Sequence, residues 1–108
     1  MEELELFCFK LISAAGTARS CNIEAIKEAK NGNFQKAEEL IKEGKNQYLR
    51  AHDVHNELLQ RKTAKEEDTN SLILIMHSED QLMSAEMFQI LAEEFIDTYR
   101  RMLSLEHK

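Results

Sequence analysis

Apolar residues recur at three- and four-residue steps in three stretches of this chain, separated by polar or small-residue breaks. The first stretch, about 3–30, carries Leu4, Phe7, Cys8, Leu11, Ala15, Ala18, Ala25, Ile26 and Ala29 at helical spacing. Its small residues Ala14, Ala15, Gly16 and Ala18 predict close approach by a neighbouring helix. Gly16 in a helix interior costs about 1 kcal/mol relative to Ala, which points to a packing reason for it. Asn31-Gly32-Asn33 ends this helix, because Gly32 suits the left-handed position after a helix and Asn33 suits the next N-cap. The spacing therefore predicts a tight helical hairpin.

The second stretch, about 34–61, reads Phe34, Ala37, Ile41, Gly44, Tyr48, Ala51, His55, Leu58. Its alternating steps of three and four are those of a narrow bundle seam. Between Lys62 and Asn70 no apolar residue is larger than Ala, so a solvated loop or frayed helix end is expected. Asp68, Thr69 and Asn70 are each suited to cap the next helix. The third stretch, about 71–105, is the longest and most apolar, continuing through Leu82, Met83, Ala85, Phe88, Leu91, Ala92, Phe95, Ile96, Tyr99, Met102 and Leu103. From Leu72 to Met76 it has no polar face, so a lone three-helix bundle would leave part of it wet. Self-association that covers this part is expected.

The third stretch also holds the chain's main conflict between pattern and chemistry. Five apolar residues, Leu72 to Met76, run straight into His77, and Asp80 follows three positions later. On a helix His77, Asp80, Gln81 and Ser84 share one stripe, which continues through Phe88, Leu91 and Phe95. Those three want burial, so titratable groups lie in line with a hydrophobic seam, where a functional site is to be sought.

Composition narrows the picture. The chain has 108 residues, no Pro, no Trp and only three Gly, and it is rich in helix formers. This points to a single all-α domain over 1–108, an antiparallel three-helix bundle. A net charge of −6 argues against nucleic acid and against an anionic membrane surface as partners. The Leu72–Met76 run is far too short to span a bilayer, so no direct membrane insertion is expected. The opening Met-Glu-Glu-Leu-Glu has no basic segment ahead of an apolar one and is not a secretory signal, which points to a cytoplasmic protein. Cys8 and Cys21 fall on one helix, roughly 20 Å apart at 1.5 Å per residue, too far to bridge.

Among candidate residues, a lone histidine such as His77 reads by default as a buried, hydrogen-bonded core residue. The functional reading is a nucleophile or ligand, since a neutral imidazole nitrogen is nucleophilic near pH 7. Asp80 changes the weighting, because a carboxylate on an apolar seam must be exposed, paired, protonated or metal-bound. Glu79 and Glu86 read as solvent-facing charges, and Met83 and Met87 as core filler. Ser84, His77 and Asp80 supply the residue types of a hydrolase triad, but one helix cannot make them converge. His52 and His55, with Asp53 or Glu57 nearby, offer one ligand pair and no larger cluster. They read as one exposed and one semi-buried histidine, and His107 lies in a frayed tail. No Gly-rich phosphate loop occurs.

Several segments together resemble the lactose/cellobiose-type IIA component of the bacterial phosphoenolpyruvate-dependent sugar phosphotransferase system. Ile12 to Ser20 is similar to that family's first helix, and Ala25 to Phe34 to its first helix–turn–helix. His77-Ser78-Glu79-Asp80-Gln81-Leu82-Met83 is similar to its phosphorylation segment, usually His-Ala-Gln-Asp-His-Leu-Met. The resemblance implies a homotrimer, hence a nine-helix bundle, and His77 as the phosphoryl acceptor through Nε2. It implies transfer from the histidine phosphocarrier protein to a sugar-specific IIB component. It further implies one magnesium ion per trimer, shared by three Asp80 side chains. Ser78, Glu79 and Gln81 depart from the commoner family residues. The rival reading is a non-catalytic helical-bundle module that binds partners without transfer.

Overall fold

Three helices form where the periodic stretches lie. In the computed structural model, which describes residues 3–60 and 69–107, α1 spans Glu3–Lys30, α2 Phe34–Gln60 and α3 Thr69–Glu106. Among the described residues there is no strand. The third helix begins two residues before the expected Ser71. The expected loop from Lys62, the cap at Asp68 and the last residue of the second stretch, Arg61, lie outside the described residues. Glu3 and Glu5 stand in the first turn of α1, and Lys27 and Lys30 in its last, which matches charge to each end of the helix dipole.

The hairpin between α1 and α2 closes as the glycine predicts. Gly32 takes φ +83°. Its N–H donates to the Ala29 carbonyl (3.0 Å), and the Asn33 N–H donates to the Glu28 carbonyl (2.8 Å), the paired bonds of a Schellman motif. Asn33 does start α2 through its carbonyl, which accepts from the Ala37 N–H at 3.0 Å. Its side-chain Nδ2, however, donates back across the turn to Glu28 Oε2 at 2.9 Å.

The helices run up, down and up in an elongated body of 65 × 20 × 19 Å. Cross-links between α2 and α3 fix their antiparallel register: Glu38 with Arg100, Lys45 with Glu93, Tyr48 with Glu86 and His55 with Glu79. Numbers rise on one helix as they fall on the other. α1 packs broadly on both partners, and α2 and α3 touch less. The core along it is built largely of alanine: Ala15, Ala18, Ala51 and Ala85 around Leu11 and Leu82, then Ala25, Ala29, Ala37 and Ala92 around Ile41 and Ile96.

Two glycines differ from each other here. A Cβ on Gly44 would stand 2.9 Å from Asn22 Oδ1, 3.3 Å from Cys21 Cβ and 3.4 Å from the Ala18 carbonyl oxygen. Gly44 is therefore where α1 and α2 come closest to needing glycine. A Cβ on Gly16 would meet only Arg19 Nη2, at 3.9 Å. The packing reason expected for Gly16 is thus absent within the protomer. Asn22 is fully buried, and neither polar atom of its side chain has a partner among the described residues.

On α1 and α2 the buried faces are those expected, from Leu4 to Ala29 and from Ala37 to Leu58. On α3 they are not. The inward stripe is Ser78, Leu82, Ala85, Ala92 and Ile96. Met83 and Met87 are 65% and 63% exposed rather than core filler, and Leu91, Phe95 and Met102 are also exposed. The physical reason is that α3 is apolar on two faces, and its small-residue face permits the closer approach to α1. The other face leaves Ile73, Met76, Met83, Met87 and Ile90 bare, in steps of three and four that Asp80 completes. Leu72, Ile73 and Met76 stay wet in the protomer, as their pattern predicts.

Candidate functional site

The residues from His77 to Asp80 take different directions, because successive helical residues turn by about 100°, and Gln81 comes back to the side of His77. His77 is exposed, not a core histidine. It borders a hollow of about 530 Å³ between Glu5 and Phe9 of α1 and Asn70, Ile73 and Leu74 of α3. Ser78 points into the core, where its Oγ donates to the Leu74 carbonyl at 2.8 Å. That hydroxyl is satisfied within its own helix and does not face the hollow.

Glu79 turns toward α2, with Oε1 3.7 Å from His55 Nε2. Asp80 points out along the bare apolar seam. It is exposed, and among the described residues no cation lies within ion-pair distance of it. Gln81 returns to the α1 side, where its Oε1 accepts a hydrogen bond of 2.7 Å from Arg19 Nη1. His77 and Gln81 thus share the α1–α3 groove, while Asp80, between them in sequence, belongs to the outer face. Ser84 is partly buried one turn further on.

The remaining titratable candidates do not converge. His52 is exposed and its Nδ1 lies 3.3 Å from Asn56 Nδ2, whereas His55 is half-buried against Glu79. Among the described residues no group of three or more His, Cys, Asp or Glu is placed to hold a metal. Along the outer face of α3 the described residues therefore offer the carboxylate of Asp80 and not a chelating set. Burial, with Glu43 adding to it, pushes the Cys21 thiol up, so it is not an activated nucleophile. Burial and then Glu86 push the Tyr48 phenol up. No helix among the described residues is long and apolar enough to cross a membrane.

The periodic pattern does not mark Arg19 as the partner of Gln81. Its partner lies 62 residues away in sequence, and the only local signal is a cation standing within a run of small residues.

The profile of the family described as "PTS system, Lactose/Cellobiose specific IIA subunit" matches residues 6–100. The chain is similar to the lactose-specific EIIA component of Staphylococcus aureus (strain N315), 36% identical over 93% of this chain and 96% of that one. It is also similar to the oligo-beta-mannoside-specific EIIA component of Bacillus subtilis (strain 168), 35% identical over 89% and 86% respectively. Among solved structures, the cellobiose-specific enzyme IIA from Bacillus anthracis superposes with a TM-score of 0.84 at 35% identity, covering 96% of this chain and 94% of that one. A chain of the IIA(chitobiose)–HPr complex of the N,N'-diacetylchitobiose branch of the Escherichia coli phosphotransferase system superposes with a TM-score of 0.81 at 27% identity, covering 94% of this chain and 98% of that one.

Proposed function

The chain belongs to the lactose/cellobiose-specific IIA subunit family of the phosphotransferase system, and from that premise we propose that it carries a phosphoryl group on His77 during sugar uptake. The donor is the histidine phosphocarrier protein (HPr), the partner present in the complex of the E. coli relative. The acceptor is a sugar-specific IIB component. The observation that carries this reading is an exposed histidine fixed on the third turn of a long helix, at the edge of an open hollow.

The chemistry asks little covalent work of the protein. The lone pair of His77 Nε2 attacks the phosphorus of the donor's phosphohistidine. The donor's N–P bond breaks and its electron pair stays on the donor imidazole. The reverse displacement then delivers the group to the nucleophile of the IIB component. Such transfers depend on positioning, on an unprotonated attacking nitrogen and on donors for the phosphoryl oxygens. A helix interior supplies the first, because it holds His77 within a rigid frame while leaving its ring in solvent.

The bare seam on α3 supports assembly of three protomers about that face. Its five apolar side chains are more than half exposed, and covering each contributes about 1–2 kcal/mol. The alternation of three and four suits parallel helices packed seam to seam. Asp80 is the one charged position within this seam, so three copies would bring three carboxylates together. Their oxygen donors and unpaired state fit a hard divalent cation such as magnesium, which supplies charge neutralisation when bound.

The test is incubation of purified protein with phosphoenolpyruvate and the general transport proteins. Wild type should take up an acid-labile, base-stable phosphate, and His77→Ala, with unchanged helical content, should take up none. Phosphate uptake by the variant equal to wild type would overturn the proposal.

A further inference from the structure

We propose that Arg19 and Gln81 form the phosphoryl-oxygen site beside His77, with the Arg19 guanidinium as its cation and Gln81 as the residue that aims it. This rests on the reading of His77 as the phosphoryl acceptor.

Four observations carry it. First, Arg19 Nη1 donates to Gln81 Oε1 at 2.7 Å, a bond between α1 and α3 in a partly buried setting. Second, the chain holds 20 Asp and Glu side chains, yet among the described residues none pairs with Arg19. A guanidinium has five N–H donors, and one is used here. A half-buried cation without a counter-ion is costly and is ready to accept an anion.

Third, the direction is right. α1 and α3 run parallel, and long helical side chains lean toward the N-terminal end of their helix. Arg19 Nη2 lies 3.9 Å from where a Cβ of Gly16 would stand, so the guanidinium reaches back by one turn along α1. Gln81 sits four residues after His77, about 6 Å along the axis, and leans back toward it. Both side chains therefore approach the turn that carries the histidine.

Fourth, the amide orientation is dictated by its partner. Arg only donates, so Gln81 must present Oε1 to it, and Nε2 is left to donate elsewhere. The pair then shows the groove only N–H groups. Being neutral, Gln81 leaves the charge of Arg19 unspent, whereas a carboxylate at this position would consume it. Glu5 on the far side of the hollow is acidic, so a compensating cation is needed where a phosphoryl dianion is to sit.

The experiment compares phosphorylated wild type, Arg19→Gln, Arg19→Lys and Gln81→Glu by ³¹P NMR across pH, with helical content and thermal midpoint as controls. A guanidinium beside the phosphoryl group holds its second ionisation low. The expected result is a titration midpoint about one unit higher in Arg19→Gln and Gln81→Glu, with Arg19→Lys between them and wild type. A residue that only braced the helices would change thermal stability and leave this midpoint alone. Should Arg19→Gln not fold, Gln81→Glu and Arg19→Lys carry the same test. Midpoints equal to wild type in the folded variants would overturn the inference and leave His77 as acceptor intact. A wild-type protein that takes up no phosphate would overturn both.

Discussion

The two apolar faces of α3 are built differently. Facing inward are Ser78, Leu82, Ala85, Ala92 and Ile96, mostly small, and closed against α1 and α2. Facing outward are Ile73, Met76, Met83, Met87 and Ile90, long or flexible, and bare in the protomer. Small side chains let backbones approach and leave little choice of register. Methionine adapts its shape to whatever covers it. The inner face therefore specifies the protomer, and the outer face is the one proposed above for contact with other copies. Asp80 marks the difference, since a carboxylate tolerated in solvent on the outer face would have no partner in the alanine-lined core.

The largest way to break this contrast is to charge the outer face. Met83→Lys combined with Met87→Lys should weaken self-association by about 3 kcal/mol or more, roughly a hundredfold, through lost apolar burial and added charge. Sedimentation should then find protomers of unchanged helical content. Assembly at wild-type strength would show that this face is not the contact. A milder change sharpens the role of Asp80. Asp80→Leu extends the apolar seam and removes the axial repulsion, so without divalent cation the assembly should tighten by about 2 kcal/mol per protomer. Dissociation of that variant in sedimentation would mean that the metal bridge, not apolar packing, holds the copies together.

The smallest effects test the inner packing through its glycines. Gly44→Ala forces a Cβ to within 2.9 Å of buried Asn22, so overpacking should outweigh the gain in helix propensity by about 1 kcal/mol. Gly16→Ala meets only the Arg19 guanidinium, at an ordinary contact distance of 3.9 Å, and should stabilise by up to about 1 kcal/mol. Denaturant unfolding of both variants checks the opposite signs. Two shifts of the same sign would contradict the described contacts.

The same contrast explains how much of the molecule is legible in its sequence. The buried faces of α1 and α2 are legible because one stripe on each keeps the three- and four-residue steps, while the apolar residues off it, Leu6, Phe9 and Ile23 on α1 and Leu49 and Leu59 on α2, stay exposed. α3 is apolar on two sides, and periodicity cannot say which is inside; it places Met83, Met87, Leu91 and Phe95 on the wrong one. His77 and Asp80 stand out as polar interruptions of an apolar run. The Arg19–Gln81 bond does not, because a contact across 62 residues leaves no local sign beyond a cation in a run of small residues. Buried Asn22 and Ser78 are equally silent. Polar types read as surface, and Ser78 is satisfied by a carbonyl four residues back in its own helix, a partner that no residue-type pattern announces.

Which histidine carries the phosphoryl group decides the proposed function. The chain has four histidines, His52, His55, His77 and His107. After phosphoenolpyruvate-driven phosphorylation, alkaline digestion and mass spectrometry of the peptides should place the group on His77 alone. Phosphate on any of the other three, with His77 unmodified, would contradict it.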